Sequence, residues 1–172
     1  MMHSHRRYDH VLSVYPQSRG LAYALFEGIL SPIDWGIREA RGSEKNARCL
    51  KRVGELFSRY EPDVLVLQDI PHCGSRRDSR IHALHGSIVE LAQIYTIPVR
   101  LYTREEMHAR FAGLGATTKH AIAETIAKHV PALKVYVPPP RKPWKGEHAH
   151  MGIFEAAALA WMFFNTNEGE LA

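Results

Sequence analysis

The chain has 172 residues, enough for one domain with a full core, and its 45% apolar and 23% charged residues are those of an ordinary globular protein. No apolar run approaches the ~20 residues that span a bilayer, and no signal-peptide stretch follows the basic Met1–Arg7, so a cytoplasmic address is expected. A net charge of +4, with eleven histidines uncounted, favours a polyanionic partner without establishing one.

Val11-Leu12-Ser13-Val14 reads as a short buried strand, and Leu21–Phe26 as a second, with Ser18-Arg19-Gly20 turning between them. Ile33–Arg38 alternates apolar with polar residues, as a half-exposed third strand does. The short connections imply an antiparallel meander. Ser43 offers an N-cap to a helix with Ala47, Leu50, Val53, Leu56, Phe57 and Tyr60 on its apolar side, and Pro62 closes it. Val64-Leu65-Val66-Leu67 is continuously apolar, as a central parallel strand covered on both faces must be.

An arginine-rich loop leads to a helix over about Ser79–Tyr95, and Pro98–Leu101 reads as the last strand. Helices follow over Arg104–Phe111, from a cap at Thr117 or Thr118 to His129, and over about Gly152–Phe164. Between the last two, residues 130–150 carry five prolines and are expected to form an ordered loop. Cys49 falls on a helix's apolar face and Cys73 in a loop. Two reduced thiols are expected there, since no second pair exists to build a zinc site. The order of elements gives a mixed five-stranded sheet, three strands antiparallel and then two parallel, with helices on both faces: an α/β architecture of RNase H-like type in a single domain. Residues 1–9 and 165–172 are expected to be tails.

Three segments carry a resemblance. Val14-Tyr15-Pro16-Gln17-Ser18-Arg19-Gly20-Leu21-Ala22-Tyr23 joins a first strand to a polar turn and an aromatic second strand. Asp63-Val64-Leu65-Val66-Leu67-Gln68-Asp69 ends an apolar strand on polar residues, and Met151-Gly152-Ile153-Phe154-Glu155-Ala156-Ala157-Ala158-Leu159-Ala160 opens the closing helix. In order and spacing they resemble the RuvC-like Holliday junction resolvases across most of residues 10–164, and Gly113–His120 looks like the family's segment there too.

That resemblance implies two-metal phosphodiester hydrolysis, in which paired Mg²⁺ or Mn²⁺ ions clamp the attacking and leaving oxygens and carboxylates hold them. It also implies a homodimer. The family's aspartate on the first strand is matched here by Tyr15, its glutamate on the parallel strand by Gln68, and its last aspartate by Glu155. A phenol with a pKa of about 10 is neutral at pH 7, and an amide offers one uncharged oxygen. Weak or no metal binding and impaired catalysis are expected. Asp69, Glu147, His148 and His150 are the candidate substitutes around Glu155, although Asp69 follows Gln68 directly and so points to the other face of the sheet. The histidines would suit Zn²⁺ or Mn²⁺ better than Mg²⁺; as plain loop residues they need no metal.

Candidate phosphate contacts are Arg76, Arg77 and Arg80 after the central strand, where ligands of α/β sheets bind. Thr117, Thr118 and Lys119 at a helix N-terminus form a second group, and Arg141, Lys142 and Lys145 a third beside Trp144, which is expected to pack on the body of the protein. Three functions remain open: a branched-DNA-binding protein with a disabled centre, an active endonuclease using Glu155 and rearranged ligands, and a protein-interaction module that keeps only the fold.

Overall fold

In the structure, a computed structural model, residues 8–71 and 76–166 are described, the side chains of residues 76–78 excepted. Five strands form one sheet in the order β3-β2-β1-β4-β5: β1 (His10–Gln17), β2 (Gly20–Glu27), β3 (Pro32–Glu39), β4 (Val64–Asp69) and β5 (Val99–Thr103). β1–β2 and β2–β3 pair antiparallel; β1–β4 and β4–β5 pair parallel. The sheet and its topology are those expected from the sequence.

Alternation along the central strands divides the core into two layers. Leu12, Val14, Leu65 and Leu67 face α1 (Lys45–Tyr60) and α2 (Arg76–Ile94), where they meet Val53, Phe57, Leu84 and Ile88. Val11, Val64 and Val66 face the other way, toward α3 (Arg104–Ala112), α4 (Lys119–His129) and α5 (Met151–Phe164). Being covered on both faces is why β1 and β4 read as unbroken apolar runs. Ser13 is the one buried polar side chain among the described residues, and its hydroxyl donates to the Ala24 carbonyl at 3.2 Å.

Helix α5 is the centre of the second layer: every residue from Met151 to Phe164 except Glu155 is buried. A helix apolar all round belongs in the interior, so its lone carboxylate marks a place where the interior opens. Close approach is secured at Gly152, where a Cβ would stand 2.5 Å from Gln17 Oε1 and 2.9 Å from the Ala22 Cβ. Only glycine lets the first turn of α5 lie against β1 and β2 this tightly.

Some local expectations are corrected. α1 begins at Lys45 after Glu44, with no side-chain cap, so Ser43 does not cap it. Its end is as expected, with Glu61 in the left-handed conformation ahead of Pro62 and donating to the Phe57 carbonyl. α2 starts at Arg76 rather than Ser79, and β5 runs on to Thr103. The proline-bearing segment contains a 3-10 helix, Pro131–Tyr136, because proline suits a first helical turn whose N–H would be unpaired anyway. Trp144 is 77% exposed, not packed on the body, with the Lys142 ammonium 5.6 Å from its ring centre. Cys49 is buried with its thiol pKa raised by burial, while Cys73 lies outside the described residues.

Candidate functional site

The last registered pair between β1 and β4 is Val14 with Leu67, so Tyr15 and Gln68 come next, side by side at the C-terminal ends of the two central parallel strands. Both follow the parity of Val11, Val64 and Val66 and face the α5 layer. Glu155 comes to the same place from the second turn of α5. The three positions matched from sequence are thus brought together. Asp69 pairs with Thr103 and has the opposite parity, with no bulge in β4 to turn it round. It does not join them. The Gln68 carbonyl is bonded to His85 Nε2 at 2.8 Å, tying the end of β4 to α2, and burial lowers the His85 pKa.

What stands between the carboxylates is a lysine. Thr118 caps α4 by accepting from the Ala121 N–H at 3.1 Å, which fixes Lys119 as the first helical residue. The Lys119 ammonium lies 2.8 Å from Glu147 Oε1 and 3.2 Å from Glu155 Oε1. Burial opposes its charge, but Glu155 and the hydrogen bond that Lys119 donates to Glu147, with Tyr15 nearby, leave its pKa above the usual value. The Lys119 side chain is 33% exposed and that of Glu155 14%, so water weakens this bridge without dissolving it.

Tyr15 completes the cluster. Burial, then the negative charge of Glu155, pushes its pKa up to about 12, although Lys119 and Arg104 pull the other way. The phenol is therefore neutral at any physiological pH. Two carboxylates and one ammonium sum to a single negative charge. Two divalent cations would need far more anionic oxygen than this, and the lysine already holds the place between the acids. The residues present do not fit a pair of Mg²⁺ ions. Among the described residues no three His, Cys, Asp or Glu side chains gather as metal ligands. His148 and His150 meet edge to face with ring centres 4.8 Å apart, and the His150 N–H donates to His148 Nδ1 at 3.2 Å; they do not close on Glu155 as a ligand set.

Two depressions flank the bridge and share Glu147 and His148 on the ridge between them. One of about 100 Å³ runs along Tyr15, Gln17, Ser18, Arg19 and Ile81. The other, about 380 Å³, lies between the start of α4 and the proline-bearing loop, and Lys119, Arg141, Lys142 and Lys145 line it with Thr118 and His120. Two basic groups expected from sequence thus meet in one cleft. Thr117 is exposed just ahead of the cap. Arg80 lies elsewhere, and its guanidinium donates to Asn46 Oδ1 at 2.9 Å and to the Gln17 carbonyl at 3.0 Å. It clamps the β1–β2 turn between α1 and α2. Lys45 donates to the Ser18 carbonyl of the same turn. Arg76 and Arg77 contribute only backbone to the described structure; their side chains lie outside it.

Sequence reasoning missed Gln17 and Arg104. Gln17 shares the parity of Tyr15 on β1, and its Nε2 is enclosed with no hydrogen-bond partner among the described residues. Arg104 follows β5 directly, a position that the sheet-edge rule for ligand sites would have singled out.

No protein-family model matches the chain, and no curated protein matches it closely. Solved structures do match. RuvC of Thermus thermophilus in complex with a Holliday junction substrate superposes with a TM-score of 0.67 at 14% identity, covering 90% of this chain and 94% of that one. Another structure of Thermus thermophilus RuvC gives 0.66 at 16%, with the same coverage. The yeast mitochondrial Holliday junction resolvase Ydc2 gives 0.59 at 13%, covering 98% of this chain and 84% of that one. At these identities the likeness establishes an RNase H-like α/β fold of the RuvC type.

Proposed function

We propose that this chain is a RuvC-like protein that binds branched DNA without cutting it, its acidic centre neutralised by Lys119 in place of divalent metal ions. The observation that carries the reading is the ammonium held between Glu147 and Glu155, beside a Tyr15 whose pKa of about 12 rules out an anionic oxygen there. The fold supports it, since the solved structures that it resembles include a RuvC bound to a Holliday junction. Arg141, Lys142 and Lys145 around the large cleft supply cations for backbone phosphates, and the exposed Trp144 offers a ring on which an unpaired base stacks. The protein acts as a cytoplasmic homodimer, two copies matching the symmetry of a four-way junction.

Affinity for a four-way junction, measured against a duplex of the same sequence over a range of salt, tests the binding half. Junction preference with a steep salt dependence is expected, and no binding at low ionic strength refutes it. Metal-dependent cleavage by the unaltered protein would refute the second half. The double variant Tyr15→Asp with Gln68→Glu restores two carboxylates beside Glu155. It is expected to bind Mg²⁺ in calorimetry where the parent does not.

A further inference from the structure

Helix α1 buries Cys49, Val53, Leu56 and Phe57 and turns a charged stripe outward: Arg48, Lys51, Arg52 and Glu55, spaced three and four residues apart. The adjacent strand β3 adds Arg38, paired with Leu21 and therefore on the α1 face of the sheet. Together these five residues surround a depression of about 260 Å³, four cations against one carboxylate.

The depression is built on a fixed support. Arg52 donates to the Tyr23 hydroxyl at 2.8 Å, Tyr23 donates to Asp34 Oδ1 at 3.2 Å, and Tyr60 donates to Asp34 Oδ2 at 2.8 Å. The Arg52 guanidinium also lies 5.2 Å from the Tyr23 ring centre. Gly36 makes room for that ring: a Cβ there would sit 3.2 Å from the Tyr23 hydroxyl oxygen. The single acid, Glu55, is already paired with Arg52 at 3.3 Å. Arg38, Arg48 and Lys51 are exposed and make no side-chain hydrogen bond or ion pair among the described residues. One arginine is held in place by Tyr23 and Glu55, Tyr23 itself being anchored through Asp34, while three further cations line the depression beside it unpaired. Mutual repulsion makes such an arrangement unfavourable until an anion fills it.

We propose that this depression is a second phosphate-binding site, taking a nucleic-acid backbone on the α1 face of the sheet, opposite the face that carries Lys119. Guanidinium groups match phosphate oxygens in pairs, and a row of three or four suits a run of phosphodiesters better than a single small anion. The choice of nucleic acid as ligand rests on the function proposed above; the anion site itself does not. A branched substrate that leaves the Lys119 cleft around the β1–β2 turn would meet these residues with another arm.

The test is a backbone-amide NMR titration of the full chain, first with inorganic pyrophosphate and then with a four-way DNA junction. Both are expected to shift the amides of Gly36–Glu39 and Arg48–Arg52, and the variant R38A/R48A/K51A should lose those shifts. Its slope of log affinity against log salt should flatten by about 0.9 for each phosphate contact removed. If that variant does not fold, Lys51→Glu alone, on an exposed position, carries the same test. Silence of these amides with both probes overturns the proposal, and a response to pyrophosphate alone overturns the nucleic-acid assignment. DNA that shifts only Thr118, Lys119 and Arg141–Lys145 overturns the nucleic-acid assignment of this site and leaves the cleft reading intact. The reverse pattern sinks the cleft reading and leaves this one.

Discussion

Replacing Lys119 by methionine keeps an unbranched side chain, one atom shorter, and removes its charge. At an effective dielectric constant of about 20, a charge pair 3.2 Å apart attracts by roughly 5 kcal/mol. Desolvation and the ordering of three long side chains offset most of that. Yet removal of one partner strands Glu155, only 14% exposed, and leaves Glu147 without its anchor. A net loss of about 2 kcal/mol is expected, discounted for the exposure of Lys119, or ~4–8 °C in melting temperature for a chain of this size. Thermal unfolding with and without millimolar Mn²⁺ adds the decisive comparison. The parent, whose ammonium occupies the gap, should melt at the same temperature in Mn²⁺ and in EDTA. The variant has two carboxylates and no cation between them, so Mn²⁺ should recover part of its loss through preferential binding to the folded state. If Mn²⁺ stabilises the parent as much as the variant, or if Lys119→Met costs nothing, Lys119 is not the resident cation of this site.

The raised Tyr15 pKa sets a second expectation. The unfolded chain gives up its phenolic proton near pH 10 while the folded one holds it to about 12, so the fold is unaffected below pH 10 and loses roughly 2–3 kcal/mol between those values. Tyr15→Phe should remove that part of the alkaline loss, read as the difference between the two proteins' denaturant midpoints across pH 9–12. Gly152→Ala forces a methyl to 2.5 Å from Gln17 Oε1 and should cost about 1–3 kcal/mol by urea unfolding, less in a background of Gln17→Ala. Arg80→Ala releases the β1–β2 turn from Asn46 and α2 and should cost about 2 kcal/mol by the same assay. An unchanged salt slope for DNA would mark Arg80 as a clamp rather than a phosphate contact.

The sheet was legible because its central strands have little choice. Val64–Leu67 and Val11–Val14 are buried on both faces and so spell themselves out as apolar runs, and the alternation of Ile33–Arg38 betrays an edge strand. Helix starts were less legible. Ser43 has the chemistry of a cap, but the chain turns at Gly42, whose carbonyl accepts from the Lys45 N–H, and enters the helix past it. The same limit applies to the prolines, which point to an ordered loop over residues 130–150 where Pro131 instead begins a 3-10 turn. At the site, Tyr15, Gln68 and Glu155 were singled out by the family resemblance, and strand parity accounts only for Tyr15 and Gln68 sharing one face of the sheet. The role of Lys119 was not readable. Its position after Thr118 has the signature of a phosphate-binding helix start, and its partners, Glu147 and Glu155, arrive from a loop and a helix far along the chain. No local pattern announces a contact made only when α4, α5 and the loop between them have packed.

That contact gives the neutral residues at positions 15 and 68 a physical sense. Were both acidic, four carboxylates would crowd one lysine, and the site would hold a charge of about −3 until metal ions arrived. With a phenol and an amide there instead, two carboxylates remain and a single ammonium almost balances them. Each change alone would leave a mismatch. Acids without metal repel one another, whereas a lysine without acids is a buried charge unpaired. Taken together they give a centre that is compact, nearly neutral and closed by its own side chain. The same lysine also pins the loop bearing Glu147 beside the basic cleft. That contact ties the acidic cluster on α5 to the rim of the proposed DNA-binding cleft.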